Sequence, residues 1–198
     1  MSLPPVPGND ITEIKSPRLT PPWRAWFDSI RSAVSSAQSG VSQPYGSFYD
    51  TTTQTIASTT IAYAITLDST GLSSDVSLVS PGSSKIKVSQ AGTYNVQFSA
   101  QAVNTAVQDH DIQIWIRLNN ADVPYTTGFV SVPSTHGGVD GHIIASWNYF
   151  LALAADDYIE FFWQGSNTAL SLTSYPAGTT PITPYTPSMI VTVIRVGA

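Results

Sequence analysis

Three short stretches of the chain gather side chains able to do chemistry. His136, Asp140 and His142 fall in the Gly-rich segment "STHGGVDGH", where strand alternation would set Asp140 and His142 on one face and His136 in the preceding loop. That is the start of a metal site, but a fourth ligand is not evident, and a solvated surface loop explains the same residues. Asp109, His110 and Asp111 offer two carboxylates beside an imidazole. Calcium takes about six to eight oxygens, so the pair falls short even if copies meet at a symmetry axis. Asp156, Asp157 and Glu160 resemble the paired carboxylates of glycoside hydrolysis. The first two, however, sit in "AADD", a turn signal in which Asp accepts hydrogen bonds from the backbone. No G-x-S-x-G, P-loop or G-x-G-x-x-G occurs, and the absence of cysteine excludes thiolate metal sites, disulfides and a cysteine nucleophile. The chain therefore reads as a non-enzyme with no cofactor and no metal.

Aromatic residues are the remaining candidates for function. Trp115 lies on the polar face of the alternating run "DIQIWIRL", and Tyr125, Tyr175 and Tyr185 lie in or beside loops. Rings in such places stack on sugars or on a protein partner, so Trp115, Tyr125 and Tyr185 are read as surface-recognition residues. Trp23, Trp26 and Phe27 cluster near the start with Ile30, the composition of a docking hot spot, and are read as an anchor.

The elements that must hold these residues are mostly strands. In "GTYNVQFSAQ" Tyr94, Val96, Phe98 and Ala100 fall on one face and Asn95, Gln97, Ser99 and Gln101 on the other; Ile112, Ile114, Ile116 and Leu118 do the same against Asp111, Gln113, Trp115 and Arg117. Further strands are predicted at 46–56, 60–67, 84–89, 122–131, 139–153, 157–164, 168–174 and 188–196. "SPGSS", "QAG", "LNNAD" and "AADD" mark turns between them. Residues 175–187, with four prolines, read as a long loop. About ten short strands with no helix between them imply a sandwich or jelly roll.

Before the strands, residues 1–20 are Pro-rich and read as an extended arm. Thr20 reads as an N-cap and Pro21 as the first helical residue, followed by Trp23, Trp26, Ile30, Ala33 and Ala37 at heptad spacing as far as Gly40. Such a short helix needs tethered copies of itself or a docking surface, and folding back on its own domain is an equal alternative. "SAVSSAQSGVSQP" reads as a Ser-rich linker. The division is thus 1–20 arm, 21–40 helix and linker, 41–198 β domain.

Of 198 residues, 42% are hydrophobic and only 11% charged, with net charge −5. Lys15, Arg18, Arg24 and Arg31 are half of the eight basic residues, which leaves the remainder acidic and repellent to phosphate backbones. Nucleic acid is not an expected partner. The start "MSLPPVPGND" has no apolar core of a secretory signal, and no apolar run is long enough to cross a membrane, so synthesis in a cytoplasm without membrane insertion is expected.

The run "SWNYFLALAADDYIEFFWQG" is apolar on both strand faces and needs a cover. "PYGSFYDTTTQ", "KIKVSQAGTYNVQFSAQ", "DIQIWIRLNNADVP", "SWNYFLALAADDYIEFFW" and "PSMIVTVIRV", in that order over residues 45–198, resemble the C1q/TNF-like jelly-roll family, in particular the versions in virion proteins of tailed bacteriophages. Gly92 and Tyr94 match the family's Gly-x-Tyr. Asn119 and Asn120 fall at its Asn-Gly turn and Asp156 and Asp157 at its Gly-Asp turn, with Asn120 and one of Ala155 or Asp156 standing in for glycines. "LTPPWRAWFDSI" is similar to leader segments of phage structural proteins. The resemblance implies a ten-stranded sandwich assembled as a homotrimer, its interface carrying Tyr158, Phe162, Gln97 and Ser99. Trimerisation would cover the second apolar face; the 175–187 loop is the alternative cover.

The expectation is a virion structural protein made in the host cytoplasm. Its arm would bind a capsid or tail protein, and its trimeric head would decorate the particle, form a fibre or bind a host-surface glycan or protein. The rivals are a carbohydrate-binding module or glycan-acting spike, and a secreted cytokine- or complement-like ligand.

Overall fold

The computed structural model describes residues 21–39 and 43–197. The chain divides into two units, Met1–Ser42 and Gln43–Ala198. In the first, α1 spans Pro21–Ser39, opening on a proline whose missing N–H is no loss in a first turn. Spacings of three and four bring Trp23, Trp26 and Phe27 into one cluster, with ring centroids 5.5 Å apart for Trp23 and Trp26 and 5.0 Å for Trp26 and Phe27. Residues from Ser32 on, read both as the end of the heptad-spaced helix and as linker, are helical as far as Ser39. The expected arm at 1–20, the Thr20 cap and the Gly40 stop lie outside the described residues.

The second unit begins with β1 Tyr45–Asp50, β2 Gln54–Thr55, β3 Tyr63–Ala64, β4 Ser69–Ser74, β5 Val76–Leu78 and β6 Ile86–Val88. Next come β7 Gly92–Asn104, β8 His110–Leu118, β9 Ala121–Asp122, β10 Gly128–Val132 and β11 Gly141–Leu153. They are followed by β12 Tyr158–Gly165, β13 Leu170–Leu172, β14 Gly178–Thr179, β15 Ile182–Thr183 and β16 Met189–Gly197. The first sheet is centred on β7. Along one edge β7 pairs with the whole of β11, Gly92 opposite Leu153 and Asn104 opposite Gly141; along the other it pairs with β16 and β13, and β1 and β4 continue the sheet beyond β16. The second sheet runs β10-β8-β12-β6-β5, with β9 on β8 and β3 on β12. All these strand pairings are antiparallel.

The alternation read from the sequence decides what lies between the sheets. Tyr94, Val96, Phe98 and Ala100 of β7 are buried against Ile112, Ile114 and Ile116 of β8 and Ile159, Phe161 and Trp163 of β12. Phe98 meets Phe161 at 5.0 Å and Trp147 at 5.2 Å between ring centroids. Full burial of each such side chain is worth about 1.5–3 kcal/mol, so this layer supplies most of the drive to fold. Gly128 makes room for the Trp147 ring, since a Cβ there would stand 2.6 Å from Trp147 Cε2. The architecture is thus all-β, with two packed antiparallel sheets, as expected. The sequence reading changes in several places. The strand expected over 46–56 is split into β1 and β2, that over 60–67 shrinks to β3, and that over 122–131 becomes β9 and β10 with a turn between them. Residues 69–78, taken as connection, form β4 and β5, and the 175–187 loop holds the small ribbon of β14 and β15.

Candidate functional site

The outward face of the second sheet carries the most organised surface constellation among the described residues. It starts at the hairpin from β8 to β9, where Arg117 pairs with Asp122 and Leu118 with Ala121, leaving Asn119 and Asn120 as a two-residue loop. Both have positive φ, 49° and 70°, the signature of a type I′ turn that matches the twist of its strands. Asn tolerates this left-handed region better than other residues with a Cβ, so Asn120 fits the turn. The hairpin folds Asp122 back beside β8. Trp115 Nε1 donates to Asp122 Oδ1 at 2.7 Å, and Arg117 Nε donates to the same oxygen at 2.6 Å. The Arg117 bond first and the Trp115 bond second hold the Asp122 carboxyl below its ordinary range.

Beyond Asp122 the chain turns through Val123, Pro124, Tyr125 and Thr126. Thr126 is buried and pins the turn: its Oγ1 donates to Val123 O at 2.8 Å and accepts from Ile116 N at 3.1 Å. From the first sheet, the Tyr149 hydroxyl donates to Thr126 O at 2.6 Å, and burial pushes that hydroxyl's pKa up. Tyr125, between these fixed points, has φ 65° and a fully exposed side chain. Gln113, Trp115, Asp122, Val123, Tyr125 and Thr127 are among the residues lining a groove of about 340 Å³.

The structure brings Trp115 and Tyr125 to this groove and leaves Tyr185 elsewhere, with its hydroxyl bonded to Thr51 O. Tyr158 and Phe162 also point outward on this sheet, and each ring is covered within the chain: Lys85 Nζ stands 4.5 Å from the Tyr158 ring, and the Arg117 guanidinium carbon 3.9 Å from that of Phe162. Gln97 and Ser99 stand on the outward face of the other sheet, opposite in direction to buried Phe98. The four residues expected in one interface therefore occupy two opposite faces of the sandwich, and one flat contact cannot hold them all.

Around Gln97 and Ser99 the first sheet presents exposed apolar side chains: Ile144 and Phe150 of β11, and Ile190, Ile194 and Val196 of β16. A shallow depression of about 190 Å³ between them is lined by Gln97, Ser99, Ser146, Ile190 and Thr192. The inward side of the same β11 run packs on the core through Trp147, Tyr149 and Leu151. Among the described residues, the sequence's doubly apolar strand is thus covered on one side only. In the first unit, Trp23 is buried, Phe27 is 45% exposed and Ile30 is half-buried.

The charged clusters resolve into structural roles. Asp157 Oδ2 accepts from Ala154 N at 2.7 Å and its Oδ1 from Asn119 Nδ2 at 2.7 Å, so it ties two turns together, while Asp156, at φ 70°, pairs with Lys87 at 2.8 Å. Glu160 is buried and accepts from Ser84 Oγ. Asp109 caps Ser134 N at 2.7 Å. His142 Nδ1 lies 3.0 Å from the Tyr175 hydroxyl, and His136 closes a turn with Val139. Among the described residues no three metal-ligating side chains gather.

The chain matches no family model and no curated protein. No helix among the described residues is long and apolar enough to cross a membrane.

Asp122, Gln113 and Thr127 are the groove residues that sequence reasoning missed. The "NN" of "LNNAD" carried the signal for Asp122, because a two-residue hairpin there fixes Asp122 opposite Arg117 and so beside Trp115.

Proposed function

We propose that the chain is a structural protein of a tailed-phage virion, a homotrimer of C1q/TNF-like ten-stranded jelly rolls. Its N-terminal segment, with Trp23, Trp26, Phe27 and Ile30, docks on a capsid or tail protein. Its head decorates the particle or meets the host surface. The observation that carries this reading is the outward face of the first sheet, where Ile144, Phe150, Ile190, Ile194 and Val196 stand 37–66% exposed on β11 and β16. Exposed apolar side chains on both flanks of the polar β7 stripe of Asn95, Gln97, Ser99 and Gln101 are a drive to associate, and the polar groups between them fix register. The packed antiparallel sheets and the ordered motifs of residues 45–198 fit the jelly-roll reading. The clustered rings of α1 suit a hot-spot anchor.

The test compares the full chain with a version starting at Gln43, measuring sedimentation and incorporation into particles. The reading requires both to be trimers and only the full chain to be incorporated. A monomeric full chain, or incorporation without the first 42 residues, overturns it.

A further inference from the structure

We propose that the groove on the outward face of the second sheet, between Trp115 and the Val123–Thr127 turn, binds a neutral or N-acetylated pyranose of a surface glycan. The proposal rests on the host-surface half of the function given above and names the partner of that surface. Three features converge. The first is a strained, rigid display. Tyr125 takes φ 65° with its ring wholly in solvent, so the cost of the left-handed backbone is offset by no contact of its side chain, while Thr126 and Tyr149 hold the turn. Backbone strain kept by the surrounding structure concentrates at functional sites. The second is an oriented acceptor. Asp122 Oδ1 is engaged by Trp115 and Arg117, which fixes the carboxylate plane and leaves Oδ2 with no hydrogen bond among the described residues. The third is chemistry matched to a sugar. Aromatic rings offer apolar faces to the C–H side of a pyranose, and Asp122, Gln113 and Thr127 offer acceptors and donors to its hydroxyls.

Size and charge narrow the class. A groove of about 340 Å³ suits a few sugar rings. Among the described residues no cationic side chain lines the groove, and the neighbouring Arg117 is already paired with Asp122 at 2.6 Å, so a uronic or sialic carboxylate would find no free positive partner in the lining.

The experiment puts the full-length protein on an array of bacterial surface glycans containing neutral hexoses, N-acetylhexosamines and acidic sugars, beside Trp115→Ala, Tyr125→Gly and Ile182→Ala. Retention on neutral or N-acetylated glycans is expected, weakened at least about tenfold in the first two variants and unchanged in Ile182→Ala, a matched exposed site. Tyr125→Gly is also expected to melt no lower than the parent, which keeps the test valid if Trp115→Ala does not fold. No retention at all, retention of acidic glycans alone, or retention undiminished in Tyr125→Gly overturns the proposal; a lower melting temperature for Tyr125→Gly removes the strain argument under it. Sedimentation of the same samples separates the two readings: trimers that ignore glycans lose only this site, and monomers that bind them lose only the trimer.

Discussion

Tyr125 holds its backbone in a region that costs a residue with a Cβ about 1–2 kcal/mol, and its exposed ring recovers none of it. Glycine at this position removes the strain and loses part of the gain to the freer unfolded chain. Tyr125→Gly should therefore stabilise the protein by up to about 1 kcal/mol, a rise of about 2–4 °C in melting temperature for a domain of this size. Tyr125→Ala, which keeps a Cβ, should leave it unchanged. Calorimetry on both variants checks the pair. Asp68 makes a second residue-scale case. Burial pushes its carboxyl up, but the hydrogen bonds that the Thr51 hydroxyl and Thr51 N–H donate to Oδ2 lead the effects that outweigh burial and leave it below its ordinary value of 3.8. A depressed carboxyl stabilises the fold above its unfolded value and loses that contribution as pH falls through the lower folded one. Asp122 has the same sign, though its exposure keeps the effect small. The melting temperature should hold steady between about pH 7 and 5 and drop below about pH 4, and Asp68→Asn should be less stable at neutral pH with a shallower acid drop.

Elements add what single residues lack, namely register. The hairpin of β8 and β9 works because Asn119 and Asn120 accept positive φ, and Asn119 also ties this turn to the next strand: Tyr158 N donates to its Oδ1 at 3.0 Å. Asn120→Ala should cost about 1 kcal/mol by forcing a Cβ residue without a local hydrogen-bonding group into the left-handed region, while Asn120→Gly should be neutral. Urea unfolding of the two variants distinguishes them. How far the fold was legible follows from the same physics. Strands β7 and β8 could be read because period-two alternation is strong where one face is buried. Strand β4 could not, since "STGLSS" is a largely exposed edge with no apolar face to announce it. The groove was half legible. Trp115 on a polar face and Tyr125 in a loop stood out, but the positive φ of Tyr125 leaves no mark in a sequence, and Asp122 reaches Trp115 only through the hairpin. Alternation likewise shows which side chains of a strand share a face and not which sheet the strand joins, so nothing in the sequence separates Gln97 and Ser99 from the Tyr158 and Phe162 that the resemblance sets beside them.

At the scale of the whole molecule the two outward faces differ in kind, and that difference predicts which one associates. On the second sheet, Lys85 and Arg117 already lie over the Tyr158 and Phe162 rings, so little is gained by covering them again. On the first sheet Ile144, Phe150, Ile190, Ile194 and Val196 have no such cover among the described residues. Their burial, at roughly 25 cal/mol per Å², must exceed the several kcal/mol that association costs. A single charge buried in the contact opposes that gain. Phe150→Asp would place an unpaired carboxylate inside the contact, at a cost of several kcal/mol, yet would spare the fold because Phe150 is 66% exposed in the single chain. In sedimentation velocity the parent should run as a species of about 64 kDa, three chains of 21.2 kDa. Phe150→Asp should run as folded monomer, and Phe162→Ala should remain trimeric because its ring lies on the opposite face. A parent that stays monomeric at high concentration, or a Phe150→Asp variant that still forms the larger species, would remove the first sheet as the surface that holds the copies together.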